Sequence, residues 1–350
     1  MVQIHTAELA PGYSISRLIK GGWQLAGDHG EVSREGALAD MAAYYEAGIT
    51  AFDCADIYTG VEEMIGAFRQ HYLQQRGANS LERLKIHTKF VPDLSVLATI
   101  DRAQVEQIID RSLARLHMER LDLVQFHWWD YSVPRYLEVA GWLRELQQAG
   151  KIDKLATTNF DTRRTAELVE SGIALVSTQV QYSLLDQRPA RQLVPFAREH
   201  GMRLLCYGTV AGGFLSKRWL GVAQPREGIA NRSLVKYKLI IDDFGGWDLF
   251  QALLETLERI ALKHGVSIST IATRWVLDQE AVAAAIVGVR RGDHLADHAK
   301  VFEVSLDEDD KRAIASIHAQ SAGLKGDVYD LERDIHGRHG RIMKYELNKS

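Results

Sequence analysis

Cysteine is nearly absent: the 350 residues include only Cys54 and Cys206. Two thiols exclude a disulfide framework and suit a reducing compartment. Proline is scarce too, with six residues, and there is no Ser/Gly-rich or low-complexity tract, so nothing marks a linker between domains. The clearest apolar run, Ala281–Val289, falls far short of the roughly 20 residues a membrane-spanning helix needs. No basic stretch followed by an apolar run opens the chain, so a secretory signal is not expected and the expected location is cytoplasmic. Acidic and basic residues nearly balance, 46 against 42, for a formal net charge of −4. That balance removes the electrostatic case for nucleic acid or a membrane surface as partner. Two phosphate-binding fingerprints are missing as well: no G-x-G-x-x-G follows an early strand, and there is no G-x-x-x-x-G-K-[ST].

What is present is an alternation of short apolar runs and amphipathic segments. The runs are Arg17–Leu25, Thr50–Ala55, Leu84–Phe90, Asp122–His127, Lys154–Thr158, Val176–Gln181, Arg203–Tyr207 and Ala283–Val289. They are rich in Val, Ile, Leu, Thr and Phe, as strands buried on both faces should be. Helix signals lie between them. Ser33 is placed to cap a helix through Ala47, Asp101 caps Arg102–Leu116, Asp161 caps Thr162–Ser171, and Pro189 opens a helix ending near Gly201. Trp247–His264 and Ser267–Asp278 read as two more helices. Eight strands alternating with helices imply parallel βαβ units, closed either as a doubly wound sheet or as a barrel. The missing dinucleotide fingerprint favours an α/β barrel, a single (β/α)8 TIM barrel over residues 1–321, with a tail over 322–350. Two pieces exceed eight plain units: the loop Gly208–Gly246 after the seventh strand, and that tail. Both are expected near the site, and deleting the tail from Gly323 is expected to alter KM more than stability.

In a barrel enzyme, chemistry sits at the C-terminal ends of the strands. Asp53 ends the second predicted strand, with Tyr58 five residues on; Lys89 ends the third; His127 ends the fourth. A lysine beside a tyrosine favours phenolate and lowers the phenol's pKa, and a carboxylate beside the lysine keeps it charged and positioned. A histidine nearby orients or polarises a carbonyl. Together these groups form a proton donor aimed at a carbonyl oxygen. Trp23, Trp128 and Trp129 follow strand ends and are candidate walls for an apolar or ring-shaped substrate, aryl or sugar. Gly212 and Gly213, after Gly208, would let backbone N–H groups approach a pyrophosphate near Ser216 and Lys217. His336 and His339 have no cysteine with them and stand beside Arg338 and Arg341, so no metal site is expected.

The segment Phe52–Gly66, containing Asp53, Tyr58, Glu63 and Gly66, resembles the signature of the aldo-keto reductase family. The likeness continues through Thr88-Lys89, Asp122–His127, Gly150–Ile152, Thr157–Phe160, Gln179–Ser183, Tyr207 and Ile286–Arg291, covering about Arg17 to Leu306 in order. It implies a (β/α)8 barrel binding a nicotinamide cofactor without a Rossmann fold. It implies that Tyr58 is the general acid, Lys89 tunes it, Asp53 pairs with Lys89, and His127 places the carbonyl. Asn159 and Gln179 match positions that bind the carboxamide, Thr158 stands where a serine is usual, and Tyr207 matches the aromatic that stacks on the nicotinamide. Gly288, Arg290, Arg291, His294, Asp297 and His298 fall at the adenosine end. The two arginines favour NADP(H), with NAD(H) as the other option. At that end His294 replaces a usual arginine and His298 a usual asparagine. Carbonyl reduction of a small-molecule aldehyde or ketone is the leading expectation. Oxidation of a sugar or secondary alcohol by the same groups is the alternative, and a cofactor-sensing regulatory subunit is a third. Neither the substrate nor the oligomeric state is legible.

Overall fold

Short apolar runs pair in parallel in the computed structural model, which describes residues 3–26, 33–225, 232–288 and 295–348. Two strands, β1 (Thr6–Ala10) and β2 (Tyr13–Ser16), form an antiparallel hairpin. The next eight close into a barrel: β3 (Leu18–Gly21), β4 (Ala51–Asp53), β5 (Lys85–Phe90), β6 (Leu121–Phe126), β7 (Ile152–Thr158), β8 (Leu175–Gln181), β9 (Arg203–Tyr207) and β10 (Val282–Gly288). Closure pairs β10 with β3, from Ala285 opposite Leu18 to Gly288 opposite Gly21. Among the described residues no helix is long and apolar enough to cross a membrane.

The hairpin was not expected, because its strands alternate weakly and β2 runs almost directly into β3. It earns its place by packing. Leu9, Tyr13 and Ile15 join Ile19, Ala51, Leu123, Ala156, Leu205, Ala283 and Ala284 in a cluster separate from the main core. The hairpin thus covers small barrel residues that would otherwise meet water. Ile15 is fully buried there. Ile15→Ala should lower unfolding free energy by about 2–5 kcal/mol. A urea midpoint that does not move would show that the hairpin contributes nothing.

Local signals explain most of the helices. Ser33 accepts from the Gly36 N–H, Asp161 accepts from the Arg164 N–H, and Asp101 forms a reciprocal capping box with Gln104. The helix expected from Pro189 is two helices, Arg188–Arg191 and Leu193–Glu199, broken at Gln192. Pro195 supplies the reason: it has no N–H to return to Arg191 and its ring crowds that carbonyl. The first barrel strand ends at Gly21 rather than Leu25. There the Gly22 N–H binds the Asp53 carbonyl at 2.7 Å, and a Cβ on Gly22 would lie 2.6 Å from that oxygen, so the chain turns away. Trp23–Leu25 then form a 3-10 turn.

The described parts of both surplus segments are structured. The long connection after β9 contains the helix Arg232–Phe244, whose Tyr237, Ile240, Ile241 and Phe244 are buried at helical spacing. The tail crosses the barrel mouth and is pinned along its length. Asp327 accepts from the Thr162 N–H at 2.7 Å, Glu332 pairs with Arg188 at 3.0 Å, and Asp93 accepts from the Leu347 and Asn348 N–H groups at 2.9 Å. Leu324, Val328 and Tyr329 are buried. Deleting the tail from Gly323 would therefore expose core as well as alter the site, so a fall in melting temperature is now expected alongside any change in KM.

Candidate active site

Strand ends bring Asp53, Lys89 and His127 to one side of a cavity of about 630 Å³, and the turn after β4 adds Tyr58. The Lys89 ammonium donates to Asp53 Oδ2 at 2.7 Å and to the Cys54 carbonyl at 2.8 Å. It stands 4.9 Å from the centre of the Tyr58 ring. Both members of the pair are buried, with side-chain exposures of 6% and 5%. Burial alone would drive Lys89 towards neutrality, but the Asp53 carboxylate, helped by Tyr58, more than offsets it and holds the pKa above the ordinary lysine value. Burial pushes the Tyr58 phenol up, and Lys89 pulls it back down. The lysine therefore acts in the expected sense, while the net shift remains upward because water is excluded.

Asp53 has two further donors. Gln125 Nε2 reaches Oδ1 at 2.9 Å and Gln179 Nε2 reaches it at 2.6 Å, with Gln179 also donating to Gln125 Oε1 at 2.8 Å. Gln125 was missed from sequence, although strand periodicity contains the signal: it lies two residues before His127 on β6 and shares its face.

His127 Nδ1 lies 3.0 Å from the Thr158 carbonyl oxygen. A carbonyl only accepts, so Nδ1 carries the hydrogen and Nε2 presents a lone pair. Nε2 has no partner among the described residues. Burial, with Arg333 adding repulsion and the Thr158 bond opposing, lowers the His127 pKa to about 3. His87, deeper in the barrel, falls to about 4, again through burial, against the pull of Asp53. Both folded values lie below the ordinary 6.5. The unfolded chain therefore protonates first as pH drops, and the stability held above about pH 6.5 is lost on the way down towards these values. Each histidine should add a slope of about 1.4 kcal/mol per pH unit in that window. Urea midpoints at pH 7 and pH 5 should diverge in the native chain and diverge less in His87→Gln; equal slopes would reject this account.

The aromatic candidates separate. Trp23 packs edge-on to Tyr58 with ring centres 5.0 Å apart, and Trp129 packs edge-on to His127 at 4.3 Å; both line the cavity. The Trp129 indole N–H is also unpartnered among the described residues. Trp128 corrects the sequence expectation, because it is fully buried and its N–H donates to the Asp130 and Val133 carbonyls. Alternation along an extended chain is the reason: residues 127 and 129 face the cavity, whereas Phe126 and Trp128 face the helix layer, where Phe126 meets Phe160.

Thr158, Asn159, Gln179 and Tyr207 line one stretch of the cavity. Asn159 has φ of 59°, and its Oδ1 accepts from the Tyr207 hydroxyl at 2.8 Å. Thr158 Oγ1 donates to the Gln179 carbonyl at 3.3 Å. Gly208, Gly213, Ser216, Lys217 and Gly288 also line it. At Gly213 a Cβ would meet nothing within 4 Å, so the backbone there faces open space, a fit for a pyrophosphate. Ser216 instead donates to the Gly213 carbonyl, and Lys217 is paired with Glu258 at 2.7 Å. At the far end Asp297 accepts from Ser267 Oγ at 3.0 Å, and His298 lies 3.4 Å from the Tyr44 hydroxyl. Arg290, Arg291 and His294 lie outside the described residues. His339 faces Asp243 at 2.7 Å.

The tail adds groups that no local pattern announced. Tyr329 lines the cavity with its ring edge-on to His127 at 5.7 Å. Arg333 donates to the Asn159 and Trp128 carbonyls, at 2.5 and 3.1 Å, with its guanidinium 4.2 Å from the Tyr131 ring centre.

A cavity with an aromatic wall, amide side chains and an open glycine edge suits a dinucleotide, and comparison with known proteins agrees. The model of the aldo/keto reductase family matches residues 17–319. Aldo-keto reductase YhdN of Bacillus subtilis is 25% identical, over 89% of this chain and 93% of its own. Flagellar radial spoke protein 5 of Chlamydomonas reinhardtii is 28% identical over 64% of this chain, and the match spans about half of that protein, 49%. A solved thermostable aldo-keto reductase in complex with the inhibitor epalrestat superposes with a TM-score of 0.69 at 25% identity, covering 90% of this chain and all of that one. The chain belongs to the aldo/keto reductase family: it is a (β/α)8-barrel oxidoreductase of carbonyl and alcohol groups, in a family that uses nicotinamide cofactors.

Proposed function

We propose that the chain reduces an aldehyde or ketone with NADP(H), Tyr58 delivering the proton to the carbonyl oxygen. The observation that carries this reading is the buried Lys89–Asp53 pair set against the Tyr58 ring on the wall that His127 shares. When bound, the cofactor supplies the hydride. The protein's part is to hold a neutral phenol whose proton can leave, because Lys89 stabilises the phenolate left behind. Asn159 and Gln179 would hold the carboxamide, Tyr207 the ring face, and the Gly208–Gly213 backbone the pyrophosphate. Trp23, Trp129 and Tyr329 would wall the substrate. Residues 1–321 would form the catalytic barrel and the tail its cover. Arg290 and Arg291 carry the preference for NADP(H).

One observation favours the oxidative reading. His127 presents a lone pair rather than a hydrogen, so it can accept from an alcohol hydroxyl, whereas polarising a carbonyl would require protonating it against its burial. The deciding experiment is a screen of aryl aldehydes, cyclic ketones and aldoses, with their alcohols, run in both directions with NADPH/NADP and NADH/NAD. Reduction with a higher kcat/KM for NADPH is expected. Turnover confined to alcohols with NAD would move the assignment to a dehydrogenase, and no quenching of tryptophan fluorescence by either cofactor would remove both readings.

A further inference from the structure

The helix Arg232–Phe244 brings Lys236 to the cavity wall. Its ammonium has no hydrogen bond or ion pair among the described residues. Three phenol rings surround it instead, with centres 5.0 Å (Tyr207), 5.6 Å (Tyr329) and 5.8 Å (Tyr237) away. Lys236 is only half-buried, and ring faces attract a cation without using its three N–H donors, which stay available to a ligand in the cavity. The carboxylates that reach it through space, Glu332 and Asp186, are both closed on Arg188, at 3.0 and 2.7 Å. Burial accordingly holds the Lys236 pKa below the ordinary lysine value, with Glu332 opposing. Neighbouring cations of the site each have a carboxylate or carbonyl partner: Lys89 has Asp53, Arg188 has Asp186 and Glu332, and Arg333 has two carbonyls.

We propose that Lys236 is the recognition point for an anionic oxygen group, a carboxylate or a phosphate, on the ligand in this part of the cavity. That chemistry has two sources, an acid group on the carbonyl substrate or the pyrophosphate of the cofactor. Tyr329 touches both Lys236 and His127, which places the cation on the substrate's side and makes an acidic substrate the expected source. Identifying the ligand as substrate rests on the oxidoreductase reading above.

The test compares the native chain with Lys236→Met and the charge-keeping Lys236→Arg. Three quantities are read: kcat/KM for 4-carboxybenzaldehyde relative to 4-nitrobenzaldehyde, the Kd of NADPH, and the Kd of benzoate, the last two from tryptophan fluorescence. Loss of one charge-assisted hydrogen bond should lower the aldehyde ratio by about 10–100-fold in Lys236→Met. The benzoate Kd should weaken in parallel, the NADPH Kd should hold, and Lys236→Arg should retain most of the selectivity. If the NADPH Kd weakens by that factor while both aldehydes decline together, the anion site stands and belongs to the pyrophosphate. If ratio, benzoate and NADPH all stay put while melting temperature falls, the proposal is overturned, and Lys236 only balances the residual negative charge of the Asp186–Arg188–Glu332 cluster. Benzoate binding needs no turnover. If the native chain reduces neither aldehyde, the reductase reading fails, while the benzoate comparison still decides the role of Lys236.

Discussion

Replacing Tyr58 with phenylalanine is expected to lower kcat by about 10²–10⁴-fold, the range for losing a positioned general acid. The ring would still pack edge-on to Trp23 and remain over Lys89, because neither contact uses the hydroxyl. Melting temperature and cofactor Kd should therefore change little. Only the proton carrier is removed, so the loss should fall on kcat rather than on KM. Steady-state kinetics on the best substrate of the two-way screen, with fluorescence titration of the cofactor, provides the check. Near-native turnover would transfer proton delivery to another group, and a large rise in cofactor Kd would recast Tyr58 as a binding residue.

Replacing Lys89 with methionine should be the more damaging change, for two separable reasons. Asp53 would remain buried with Gln125 and Gln179 as donors but without its cation. Breaking a buried pair from one side typically destabilises by about 3–5 kcal/mol. The Tyr58 phenol would also lose the charge that pulls its pKa down, so that pKa would climb further. The sign of the kinetic consequence follows. Alcohol oxidation needs phenolate, so its rate rises with pH through the phenol's pKa, and in Lys89→Met that limb should move to higher pH. Reduction needs the phenol, so its fall at high pH should also move upward. The double variant Asp53→Asn with Lys89→Met should recover much of the stability, because no buried charge is left alone, yet keep the displaced pH profile and low rate. An unmoved pH–rate profile in either variant would reject the tuning role.

Much of this site was legible because it is encoded locally. Asp53, Lys89 and His127 each sit at the end of an apolar run, and parallel strands in a barrel necessarily bring such ends to one rim. Gln125 obeys the same alternation, but a neutral amide carries no titratable signal in sequence that sets it apart from any polar residue on a strand. Trp128 and Trp129 looked equivalent in sequence, and strand pleat separates them: one is sealed against Phe126, the other lies beside His127. Cys54 and Cys206 are both buried free thiols, in keeping with packing at strand ends.

The amino-acid sequence by itself determined the barrel, the order of its strands and the four residues at its rim, since periodicity, caps and strand-end positions are properties of neighbouring residues. Only the tertiary structure decided how those groups are set. The Thr158 carbonyl, 31 residues from His127, selects the imidazole's tautomer. Arg333 braces Asn159 from 174 residues away. Lys236, from the helix after β9, stands over the Tyr207 ring and against Tyr329 of the tail, whose other neighbour is His127. Contacts across such separations depend on where the chain returns after folding, and no local spacing records that.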